Sequence, residues 1–99
     1  MDGRPVDRYL HALRERLPEL TEEFHVSSLE VFGSYVRDEQ TPESDLDVLV
    51  TFEQAPGLFE FIELRDRLSD ALGVPVDLVM KKALKPRLKQ QILDEAIPV

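Results

Sequence analysis

Gly33-Ser34-Tyr35-Val36-Arg37, a polar loop, and then Ser44-Asp45-Leu46-Asp47-Val48-Leu49-Val50-Thr51-Phe52 form the stretch that decides the fold. Side chains two apart on a strand share a face. Leu46, Val48, Val50 and Phe52 therefore make one apolar face, while Asp45 and Asp47 project together from the other. Leu49 and Thr51 continue that second face away from the carboxylates. The alternation predicts a half-buried strand, packed on a core by its apolar side and open to solvent and ligand at its acidic beginning.

Outward from this strand, Ser28 to Phe32 reads as a short strand that delivers Gly33, and Ser34 to Arg37 as the start of a short helix. Asp38 to Ser44 has the composition of an exposed loop. Upstream, Val6, Tyr9, Leu10, Leu13 and Leu17 recur at helical spacing. They predict a helix from Pro5 to Leu17, stopped by Pro18 and followed by a polar turn over Leu20 to His25. Downstream, Phe59, Ile62, Arg65 and Leu68, with Phe61, Leu64 and Leu72 adjoining, predict a helix after Gly57 that is capped by Gly73. Val74 to Met80 is a third strand, with Asp77 opposite in facing to Val76, Leu78 and Met80. Pro86 opens a last helix that ends before Ile97. No repeat or low-complexity linker interrupts the order. The expected architecture is α/β (α+β), a small sheet covered by helices on one face, with the acids on the other.

Ninety-nine residues suit one small domain, residues 1–99, with a single core. The chain has no cysteine, which is compatible with a reducing cytoplasm. No apolar run is long enough to span a bilayer, and Met1-Asp2-Gly3-Arg4-Pro5 has no export pattern, so neither membrane nor secretion is expected. A net charge of −8 opposes direct nucleic-acid binding, which needs a basic footprint. It leaves room for a basic protein partner. The basic run Lys81, Lys82, Lys85, Arg87 and Lys89 reads as the solvated start of a helix. Phe24, Phe59 and Phe61 read as core packing rather than as a base-stacking platform.

Carboxylates converging on one spot repel each other, and a divalent cation resolves that conflict. Magnesium takes oxygen ligands and is commonly held by one or two carboxylates together with substrate phosphates. Asp45, Asp47 and Asp77 fit that chemistry, whereas His11 and His25 supply too little for zinc and read as surface residues. At Gly33-Ser34, glycine admits close backbone approach, and the helix start turns N–H groups toward phosphate oxygens. Taken alone, the pair serves equally as a turn and a helix cap. The Gly-x-x-x-x-Gly-Lys-Ser/Thr spacing of a Walker loop is absent, so simple ATPase or GTPase readings fall.

Gly33-Ser34-Tyr35-Val36-Arg37 followed by Ser44-Asp45-Leu46-Asp47-Val48-Leu49-Val50 closely resembles the signature of the DNA polymerase beta-like nucleotidyltransferase superfamily, and the chain's size resembles its minimal nucleotidyltransferase (MNT) domains. The resemblance covers nearly the whole chain and implies the small nucleotidyltransferase fold, a mixed sheet of three to four strands. It implies ATP as substrate and magnesium, two ions, as cofactor. Gly33 and Ser34 then form the triphosphate turn, Arg37 and Ser44 lie at the nucleotide, and Asp45, Asp47 and Asp77 are catalytic metal ligands. Asp77 would help activate the acceptor hydroxyl. Arg37 either touches phosphate or braces the loop by pairing with Asp38 or Glu39, and bracing is preferred. Tyr35 stands where many members have arginine, and Asp38 where they often have glycine.

Minimal members include antitoxins paired with HEPN toxins, all-helical ribonucleases. The expected activity is transfer of AMP from ATP to a hydroxyl, a tyrosine, of a cognate toxin in a type VII-like toxin-antitoxin pair, with an oligomer formed with that toxin. Two alternatives stand beside it: an antitoxin that works by binding alone, and nucleotidyl transfer to a small molecule.

Overall fold

A computed structural model describes residues 3–99; Met1 and Asp2, part of the stretch read for an export signal, lie outside the described residues. The elements are α1 (Pro5–Phe24), β1 (Val26–Phe32), α2 (Ser34–Arg37), β2 (Leu46–Phe52), α3 (Leu58–Leu72), β3 (Val76–Met80), a 3-10 turn (Lys81–Ala83), α4 (Pro86–Glu95) and β4 (Ile97–Pro98). They build one mixed sheet in the order β3-β2-β1-β4. β2 runs antiparallel to β1 and parallel to β3, and β4 joins β1 antiparallel.

The alternation in β2 partitions as its sequence predicts. Leu46, Val48 and Val50 are buried in the core shared with α1 and α3. Asp47 and Thr51 on the other face are only partly covered. Leu49, also on that other face, is nevertheless 1% exposed. The 3-10 turn packs against β2 and α4 against β1.

α1 opens with Pro5 in its first turn and with the Arg4 amide donating to Asp7 Oδ2 at 2.8 Å. The expected stop at Pro18 and polar turn over Leu20 to His25 do not occur, because the helix continues to Phe24 and ends at His25 in the left-handed region (φ 62°). Proline costs one hydrogen bond and crowds the preceding turn. Leu20 and Phe24, 1% and 6% exposed, complete the stripe begun by Val6, Tyr9, Leu10 and Leu13, and their burial outweighs that cost.

α3 begins and ends where glycine places it, with the Gly57 amide donating to Glu60 Oε1 at 3.2 Å and Gly73 at φ 70°. Its buried stripe is Leu64 and Leu68, flanked by Phe61 and Leu72. Phe59 does not join the core; it is 85% exposed, beside Leu58 at 71%. Two residues along a helix is more than half a turn, so Phe59 and Phe61 face opposite ways. β4 is an addition to the expected order. It pairs with Glu30 and Val31, and the Val99 amide donates to the Leu29 carbonyl at 3.0 Å. Among the described residues, no helix is long and apolar enough to cross a membrane.

Candidate active site at the beginning of the acidic strand

The end of β1 and the beginnings of β2 and β3 meet at one edge of the fold. Phe32 lies opposite Asp47 on one side, and Asp77 lies in register with Asp47 on the other. Gly33 follows Phe32 with φ 84° and ψ −153°, a conformation that favours glycine. It is also pressed against the acid strand: a Cβ at Gly33 would sit 2.0 Å from Asp47 Oδ2 and 2.9 Å from its Cγ. Glycine is therefore required first of all by the Asp47 carboxylate, whether or not a ligand is present.

Burial pushes the Asp47 carboxyl up to about 6, helped by the charges of Asp77 and Asp45 and by a hydrogen bond with Asp77, against an opposing effect of Arg37. Asp45 sits just before β2 and is exposed, as is Asp77. The three acids share a field, yet among the described residues no three His, Cys, Asp or Glu side chains are gathered as a ready metal-binding group. Hard oxygen donors of this kind suit a hydrated magnesium ion, which asks for few protein ligands.

Ser34 opens α2, where the Val36 and Arg37 amides both donate to the Gly33 carbonyl at 3.0 and 3.1 Å. The Gly33 amide is itself engaged, donating to Glu95 Oε2 at 2.8 Å. Arg37 is a strut in this structure: its Nε donates to Glu39 Oε1 at 2.9 Å and its Nη1 to both oxygens of Glu95 at 3.0 Å. Glu39 is one of the two partners its sequence position predicts; Asp38 instead takes the left-handed region (φ 61°) as the cap of α2. The Ser44 hydroxyl holds the loop, accepting from the Thr41 amide at 2.8 Å.

Tyr35 turns inward and packs edge-on against Tyr9, with ring centroids 5.4 Å apart. Burial, then Tyr9, push its hydroxyl up from the ordinary tyrosine value. Position 35 is thus taken up by an aromatic contact with α1. α1 brings cations of its own to this edge. Arg4 Nη2 donates to the Val36 carbonyl, and Arg8 lies over the Tyr9 ring at 4.8 Å. These contacts and Glu95 are what sequence reading misses, since Glu95 is 62 residues from the amide it binds.

Lys81 of the basic run pairs with Glu30 at 3.0 Å. Lys82 borders a cleft of about 170 Å³ with Val50, Phe52, Ala55 and Met80, at the far end of β2 and β3 from the acids. Among the described residues, no carboxylate lines that cleft.

The family model described as a nucleotidyltransferase domain matches residues 10–99. The chain is 49% identical over 81 residues to the protein adenylyltransferase MntA of Thermococcus cleftensis, covering 82% of each. Among solved structures it is similar to one assigned as a minimal nucleotidyltransferase, with a TM-score of 0.76 and 41% identity over 93% of this chain and 94% of that one. It is also similar to a chain of a toxin-antitoxin crystallised with AMP-PNP, with a TM-score of 0.68 and 26% identity, covering 95% of this chain and 71% of that one.

Proposed function

The chain belongs to the nucleotidyltransferase domain family, and on that premise we propose that it transfers AMP from ATP to a tyrosine hydroxyl of a cognate HEPN-type toxin, acting as the antitoxin of the pair. The observation that carries this reading is the seating of Asp47 between Gly33 and Asp77, which joins a turn suited to phosphate with an acid site whose charges call for a cation. A named adenylyltransferase relative and a toxin-antitoxin neighbour holding an ATP analogue support it.

In this reading Asp45, Asp47 and Asp77 hold magnesium, which when bound neutralises charge on the reacting phosphates. Ser34 donates its hydroxyl to a phosphate oxygen, and Gly33 gives the turn its shape. Arg37 and Ser44 act through the loops they brace. Asp77, exposed at the edge, takes the proton of the acceptor hydroxyl. The acceptor oxygen bonds to the alpha phosphorus, the bond from that phosphorus to the bridging oxygen breaks, and pyrophosphate leaves. A fold of this size offers little second wall around the acceptor, so the toxin's own surface completes the site.

The test is incubation with magnesium, alpha-labelled ATP and the product of the adjacent gene, followed by intact-mass measurement of both proteins. The expected result is added AMP on the partner, abolished by Asp47→Ala. A second reading, neutralisation by binding alone, draws on the exposed pair Leu58 and Phe59. A stable complex without transfer, still neutralised by Asp45→Ala with Asp47→Ala, would replace the first reading with the second.

A further inference from the structure

Glu95 closes α4 and reaches across to the turn that follows β1. Its Oε2 accepts from the Gly33 amide at 2.8 Å and from Arg37 Nη1 at 3.0 Å, and its Oε1 accepts from the same Nη1 at 3.0 Å. The side chain is 19% exposed, against 44% for Arg37. Its backbone is held on both sides. The Ala96 amide donates to Ile92, and the next residue, Ile97, is already paired with Val31 of β1. Glu95 is therefore fastened to the same strand whose end delivers Gly33.

A carboxylate at this place is an anion on two groups that could otherwise receive phosphate, the Gly33 amide and the Arg37 guanidinium. Because it ends α4 only two residues before Ile97 pairs with β1, it behaves as a fixed part of the site rather than as a tenant that phosphate evicts. It pairs with Arg37 and occupies the Gly33 amide, while no side-chain hydrogen bond engages the Ser34 hydroxyl among the described residues. We propose that Glu95 is a positioning residue for nucleotide binding, acting through Gly33 and Arg37 to set the distance between Ser34 and the Asp47 carboxylate. The proposal rests on the nucleotidyl-transfer reading above.

The experiment is equilibrium binding of ATP with magnesium to the full chain, run on wild type, Glu95→Ala, Glu95→Gln, Arg37→Ala and the Arg37→Ala, Glu95→Ala double variant, each first checked by thermal unfolding. Glutamine can place its carbonyl oxygen where Oε2 stands, keeping the bond from Gly33 and one of the two from Arg37, while its amide nitrogen replaces Oε1 and the charge is lost. Glu95→Ala is expected to weaken binding ten-fold or more, Glu95→Gln to restore it to within about three-fold of wild type, and the double variant to bind no worse than the weaker single variant. A merely structural glutamate would lose stability in the melting curve in step with its loss of binding, whereas a positioning one loses binding with little change in melting. If Glu95→Ala binds as well as wild type, the proposal is overturned. Tighter binding overturns it too, and marks Glu95 as an anion that phosphate displaces. Failure of wild type itself to bind ATP overturns instead the reading on which the proposal rests.

Discussion

Replacing Asp47 with asparagine should stabilise the protein in the absence of metal. The Asp47 carboxyl is raised from 3.8 to about 6, with burial first and the neighbouring Asp77 and Asp45 charges next. A proton is thus held more tightly in the folded state than in the unfolded chain. The sign follows: stability falls as pH rises from about 4 to about 6 and stays low above that range. At 1.36 kcal/mol per pH unit the full shift is worth at most about 3 kcal/mol. Solvent reaching a partly exposed pair screens this to about 1 kcal/mol. For a domain of this size that is a gain of roughly 4–8 °C in melting temperature. The assay is thermal unfolding in EDTA from pH 4 to pH 8. Asp47→Asn should melt higher than wild type at pH 8 and equally at pH 4, and adding magnesium should raise the wild type but not the variant. A gain of equal size at both pH values, or none at pH 8, would refute the argument that burial of a carboxylate beside two like charges is what strains this site.

Gly33→Ala forces a Cβ to within 2.0 Å of Asp47 Oδ2 at a backbone φ of 84°, and should cost about 2 kcal/mol in urea unfolding while abolishing AMP transfer; a loss below about 0.5 kcal/mol would show that the turn and the acid can separate freely. Asp77→Asn keeps the shape but cannot take a proton, so transfer should fall about 100-fold or more while ATP affinity changes only a few-fold, measured by single-turnover labelling beside equilibrium binding. A parallel collapse of affinity would assign Asp77 to ligand holding alone. Pro18→Ala lies on the exposed side of α1 and restores a helical N–H, so urea unfolding should show a gain of about 1–2 kcal/mol; a loss would mean that proline at this position helps seat Leu20 and Phe24.

What the sequence discloses here is local. The two-residue period of β2 separates Asp47 from Leu46, Val48 and Val50 without any knowledge of partners, and Gly57 and Gly73 bracket α3 because their backbone roles are intrinsic. What it conceals depends on neighbours. Whether α1 passes Pro18 is decided by the burial of Leu20 and Phe24, and a proline read alone gives the wrong answer. Phe59 carries the same hydrophobicity as Phe61, and only the phase of the helix against the sheet puts one outside. β4 is two residues with a proline, too short for any periodicity. For the site, the pattern marks Gly33, Ser34, Asp45, Asp47 and Asp77 as candidates, but the parallel pairing that sets Asp47 beside Asp77 emerges only in the folded sheet. It does not reveal that the Gly33 amide is already bound, because its partner Glu95 is an ordinary glutamate at the end of a polar helix.

The contact between Gly33 and Asp47 is a fit without clearance. A machinist would say that the two parts share one datum: shift the turn and the acid shifts with it, since no gap is left to absorb an error in either. The turn and the acid strand therefore cannot be tuned independently by substitution. Adaptation to another nucleotide or another acceptor would have to be made in the parts with play, the loop from Asp38 to Ser44 and the exposed rim around Asp45 and Asp77, while the joint between glycine and aspartate stays as it is.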